Sequence, residues 1–102
     1  MSKQTRLKPE IRKDELLAAA VALAADIGYT QITREQVASA AGVTPNALSY
    51  HFNTMPQFRR ELMRFAVRRR NALVVAQGLA LRDPHAMRAD EDLKIQAQRA
   101  LY

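Results

Sequence analysis

Apolar residues recur at spacings of three and four between Glu10 and Ile27, where Leu16, Leu17, Ala20, Val21, Leu23, Ala24 and Ile27 draw one stripe down a helix. Gly28 stops that helix, and Tyr29 is expected to fold back onto it. Thr33-Arg34-Glu35-Gln36 has the form of a capping box and opens a second helix, Arg34 to Ala41, with a thin apolar face of Val37, Ala40 and Ala41. Gly42 supplies the permissive backbone a sharp turn needs. Thr44 and Pro45 read as the N-cap and first position of a short third helix that ends near His51.

Beyond Phe52 the pattern predicts a long fourth helix from Met55 to Leu79, with Phe58, Leu62, Phe65, Ala66, Leu73 and Ala76 on one stripe. Thr54 with Gln57 predicts a second capping box at its start. A short fifth helix is expected from Pro84 or Asp90 to Leu101, edged by Leu93, Ala97, Ala100 and Leu101. Few residues are β-branched and no strand is predicted, so the fold class is all-α. The chain divides into a basic arm over 1–9, a three-helix unit over 10–53 and a two-helix region over 54–102.

Two short helices joined by a tight glycine turn are what a helix-turn-helix needs to enter a major groove. Leu48 and Phe52, four apart, anchor the inner face of the third helix and leave Asn46, Ala47, Ser49 and Tyr50 available to DNA. Small side chains at Thr44 and Ala47 let the backbone approach, and either methyl group suits a thymine methyl. Asn46 suits adenine.

Charge agrees with this reading. The 102 residues hold 16 Lys plus Arg against 10 Asp plus Glu, a net +6 with a pI near 10.3, which favours a polyanionic partner. With no cysteine, thiolate catalysis, disulfides and cysteine-ligated zinc are excluded. No run approaches a membrane span and the N-terminus lacks a signal-peptide core, so a cytoplasmic protein without membrane contact is expected. No nucleophile–base pair, HExxH or phosphate loop is present, and neither an enzyme nor a cofactor is expected.

From Leu16 to Leu62 the chain resembles, without gaps, the N-terminal DNA-binding domain of the TetR family of bacterial transcriptional regulators. The resemblance is carried by Leu16-Leu17, Ala20, Leu23, Gly28-Tyr29, Thr33, Val37-Ala38, Ala41-Gly42-Val43-Thr44, Leu48 and Tyr50-His51-Phe52. It implies that Thr33 and Arg34 approach phosphates, that Thr44, Pro45, Asn46, Ala47 and Tyr50 lie in or beside the major groove, and that the fourth helix, capped by Thr54, offers backbone N–H groups to a phosphate. Two positions depart from the family pattern. Ser49 stands where the family commonly has Tyr, and Met55 where it commonly has Lys, both of which usually help hold phosphate. Lys3, Arg6 and Lys8, or Arg59 and Arg60, are candidates to compensate.

Members of the family also carry a larger C-terminal helical region that forms an effector pocket and a dimer interface. Two helices cannot wall in a drug-sized cavity, so no small-molecule inducer is expected. A homodimer is expected on double-stranded DNA, joined through Val67, Val74, Leu81, Leu93 and Leu101 as a small helical bundle. Arg68-Arg69-Arg70 reads as a solvated face or an ionic partner of Asp90-Glu91-Asp92 rather than a DNA contact. His51 reads equally as a phosphate donor or a half-buried structural residue. The resulting expectation is a ligand-independent repressor of an inverted-repeat operator, acting on its own promoter. The rival is a TetR-like interaction module or antirepressor that pairs with another regulator.

Overall fold

The computed structural model describes residues 9–101, and all of the regular structure among them is helical. Seven helices follow in order: α1 (Pro9–Ile27), α2 (Arg34–Ala41), α3 (Pro45–His51), α4 (Met55–Arg68), α5 (Ala72–Ala80), α6 (Pro84–Met87) and α7 (Glu91–Ala100). The basic arm with Lys3, Arg6 and Lys8 lies outside the described residues.

The first three helices follow the local signals closely. At Thr33 both halves of the capping box form: Oγ1 accepts from the Gln36 amide at 3.2 Å, and the Thr33 amide donates to Gln36 Oε1 at 2.9 Å. Gly42 closes α2 at φ 72°, ψ 31°, in the left-handed region. Its amide donates to the Ser39 carbonyl and the Val43 amide to that of Ala38, the paired bonds of a Schellman turn. Thr44 then caps α3 through the Ala47 amide at 3.1 Å. At α4 only half of the expected box forms. Thr54 Oγ1 accepts from the Gln57 amide, but the Gln57 side chain donates to Glu61 one turn on, at 3.0 Å.

The predicted long helix Met55–Leu79 is two helices. Arg70 adopts φ 55°, the Arg70 amide donates to the Val67 carbonyl and the Asn71 amide to that of Ala66, so α4 ends in a second Schellman turn with arginine where glycine is usual. Asn71 restarts the chain by accepting the Val74 amide at 3.0 Å. The interruption changes the helical phase, so Val74 and Val75 turn inward beside Ala76, which stays on the inner side as expected, and Leu73, expected there too, points outward at 48% exposure. The same device recurs at Arg82, φ 60°, with Asp83 capping α6. Of the two starts expected for the last helix, Asp90 is the one that holds: it caps α7 through the Leu93 amide, and Pro84 opens the separate short helix α6.

One apolar core runs through the whole arrangement. Leu16, Leu17, Ala20 and Ala24 of α1 join Val37, Leu48 and Phe52 of the helix-turn-helix to Phe58, Leu62 and Phe65 of α4, and on to Val74, Val75 and Leu93. Phe52 and Phe58 meet edge to face, with ring centroids 4.9 Å apart. Gly78 lets α5 pack closely on α4 and α6: a Cβ there would lie 2.6 Å from Met63 Cε and 2.7 Å from Ala86 Cβ.

Candidate nucleic-acid interface

Packing decides which residues of α3 remain available. Leu48 and Phe52 are fully enclosed, which turns the opposite face outward. On that face Thr44, Pro45 and Asn46 are exposed and Tyr50 is 82% exposed, while Ala47, Ser49 and His51 are half-buried at its edges. Asn46 and Tyr50 stand one turn apart on one side of α3. Tyr50 and His51 meet edge to face at 5.1 Å.

The groups expected at phosphates surround this helix. Thr33 and Thr54 are exposed at the starts of α2 and α4. Pro56 occupies the first turn of α4, where its missing N–H costs no helical bond. Arg34, half-buried at the first position of α2, reaches across to α3 and donates from Nη1 to Ser49 Oγ at 2.6 Å. The Ser49 hydroxyl in turn donates to the Pro45 carbonyl at 3.1 Å. Arg59 lies against the turn before α2, with Nη2 3.5 Å from the Ile32 carbonyl and its buried Nε unpaired.

His51 sits among cations. Burial pushes its imidazole below the ordinary range, and the nearby charges of Arg12 and Lys13 push it the same way. Lys13 Nζ also lies 5.5 Å over the Phe52 ring and 4.0 Å from Glu61. Arg12 and Lys13 were not among the residues singled out from the sequence. Their local spacing carries no such signal, because neighbours in sequence point apart around a helix, and it is the packing of α1 on α3 and α4 that brings both near His51.

The residues expected to join two protomers fall into two groups. Val74 and Leu93 are enclosed in the chain's own core and have no surface to offer a second copy. Val67 is half-buried. Leu81 and Leu101 are exposed at 60% and 53%, together with Leu73 and Ile95. Leu101 borders a shallow groove of about 250 Å³ between α5 and α7, whose walls are otherwise Ala76, Leu79, Ala80, Ala97 and Gln98.

The triple arginine divides its partners. Arg70 pairs with Asp90 at 2.8 Å, as expected, an ion pair that raises the arginine's pKa and lowers the carboxyl's. Arg68 and Arg69 turn instead to Asp14 of α1, at 3.5 and 3.9 Å. Among the described residues no cluster of His, Asp and Glu suited to a metal ion occurs, and no helix is long and apolar enough to cross a membrane.

Comparison with known proteins falls on the same segment. Residues 16–62 match the family described as "Bacterial regulatory proteins, tetR family". The chain is similar to the HTH-type transcriptional repressor KstR2 of Mycolicibacterium smegmatis, with 34% identity over 64 residues, which is 63% of this chain and 31% of that repressor. The chain thus spans about a third of the length of the curated relative it matches. No solved structure matches it significantly. The segment that is similar to the tetR family, residues 16–62, runs from within α1 through the first turns of α4 and so takes in the whole of α2 and α3.

Proposed function

We propose that this protein is a transcriptional repressor that binds an inverted-repeat operator in double-stranded DNA as a homodimer and acts in the cytoplasm. The observation that carries the reading is the outward face of α3, where Asn46 and Tyr50 stand exposed one turn apart behind a left-handed Gly42 turn. Asn46 reads adenine through its amide, and the Ala47 and Thr44 methyls meet thymine. Thr33, Arg34, Thr54 and His51 hold phosphates on either side and fix the register. Pro45, at the first position of α3, presets the backbone for the helix start without costing a helical hydrogen bond.

Pairing follows from the reader's small size, since two recognition helices on one duplex face bind half-sites about ten base pairs apart. The exposed Leu81 and Leu101, the latter at the edge of the α5–α7 groove, form the joining face. Regulation does not use a small-molecule inducer. What supports this is that Val74, Val75 and Ala76 fill the core beside α4, where a ligand chamber would need open space. Output is then set by the concentration of the protein, and its own promoter is the natural first target.

The test is a footprint on the DNA upstream of the protein's own coding sequence. Protection of a two-fold symmetric site, lost in Asn46→Ala and Tyr50→Ala variants that remain folded, is the expected result. Absence of protection there and on every other duplex would favour the rival reading, an interaction module that pairs with another regulator.

A further inference from the structure

We infer that Ser49 is a positioning residue for DNA binding: it holds the Arg34 guanidinium against α3 for a backbone phosphate, and does not itself bind one. The inference rests on the DNA-binding reading above and adds a division of labour within it.

Proton accounting at Ser49 is the first argument. A serine hydroxyl has one proton to donate, and here it goes to the Pro45 carbonyl at 3.1 Å. A phosphate diester offers only acceptors at its anionic oxygens, so a hydroxyl whose proton is committed has nothing to give it. The Ser49 lone pairs, by contrast, are in use: one accepts Arg34 Nη1–H at 2.6 Å. The chain Nη1–H to Oγ–H to O=C is a relay in which each bond polarises the next.

The setting of Arg34 is the second argument. It occupies the first position of α2, where the helix dipole disfavours a cation. Among the described residues no carboxylate forms an ion pair with it, and the one hydrogen-bonding partner of its side chain is the neutral Ser49 hydroxyl. A charged group that is half-buried, set in an unfavourable field and still held in one place is arranged for an anion that arrives later. Four of the five guanidinium N–H donors stay free of Ser49, enough for a bidentate grip on one phosphate. Because the relay ends on Pro45, the phosphate anchor on α2 and the base-reading start of α3 are locked in one register.

The experiment measures binding of the full chain to a fluorescein-labelled random-sequence duplex across a salt series, with thermal melting of each variant as the fold control. Arg34→Ala should weaken binding by about tenfold and reduce the slope of log K against log salt by about 0.9, one phosphate's share. Ser49→Ala should weaken it by about threefold with melting unchanged, Ser49→Thr should restore wild-type binding, and adding Ser49→Ala to Arg34→Ala should cost nothing more. An unchanged salt slope in Arg34→Ala, wild-type binding by Ser49→Ala, or losses that add in the double variant would each overturn the inference while leaving the DNA-binding reading standing. Wild-type protein that binds no duplex at any salt would overturn both.

Discussion

The Tyr29 hydroxyl donates to the Asp83 carboxylate at 2.9 Å, joining the turn after α1 to the cap of α6 across 54 residues of chain. Gln77 of α5 completes the junction. Its Oε1 accepts from the Tyr29 amide and its Nε2 donates to the Ala24 carbonyl, both at 2.8 Å, so α5 caps the C-terminal end of α1. The helices behind the reader therefore grip the loop that leads into Thr33 and α2.

Tyr29→Phe removes one neutral-to-charged bond from this junction and should cost about 1–2 kcal/mol of stability in urea unfolding at neutral pH. Burial, and then the Asp83 bond and charge, raise the phenol's pKa above its ordinary value near 10. Its stabilising contribution is thus fully present below pH 10 and falls as the pH climbs above it. Wild-type protein should lose stability above pH 10 more steeply than Tyr29→Phe, and parallel curves would contradict the assignment.

Gly78→Ala should destabilise through overpacking. The new methyl would meet the flexible end of Met63, which can move, and the Ala86 Cβ, which moves only with α6. A loss of about 1–3 kcal/mol is expected. An unchanged denaturation midpoint would mean that α6 yields freely.

Arg82→Gly should stabilise the protein. Arg82 is exposed and holds φ 60°, a conformation that disfavours any side chain with a Cβ. Relief should exceed the entropy that glycine adds to the unfolded chain, leaving a gain of about 0.5–1 kcal/mol in thermal unfolding. A loss of that size instead would assign the arginine side chain a contact that outweighs the strain.

His51 should make stability and DNA affinity move oppositely with pH. Its folded pKa lies below the unfolded value near 6.5, so stability is complete above that pH and declines as pH drops beneath it. A phosphate against the imidazole would favour the protonated form, so duplex binding should tighten over the same fall, and His51→Gln should flatten that rise. Wild-type affinity that does not change between pH 7.5 and 5.5 (about two decades of proton activity) would leave His51 a structural residue.

How much of this was legible in the sequence depended on how far each signal reached. The boundaries of α2 and α3 are written in neighbours three or four apart, Thr33 with Gln36, Gly42 with Ala38 and Ser39, Thr44 with Ala47. The break at Arg70 is not local. Three arginines are good helix formers, and the left-handed turn is held by α5 packing on α4 and by Asp90, 20 residues on. Asn71 before an apolar run, and Asp83 before Pro84, were the available N-cap signals for the two extra helices. A helix read straight through Arg70 carries its phase past the break, which turns Val74 toward a partner and Leu73 toward the core. In the candidate interface, the inward and outward faces of α3 were readable from Leu48 and Phe52. The Arg34–Ser49 bond, between helices, was not.

Sequence-specific recognition by α3 is tested by selecting bound sequences from a random duplex pool with the purified full chain at two salt concentrations. Enrichment of an inverted repeat with half-sites about ten base pairs apart is expected, persisting at higher salt and lost with Asn46→Ala and Tyr50→Ala. Salt-sensitive binding with no enriched sequence would contradict it, because the charge of this protein would then meet DNA without a reader.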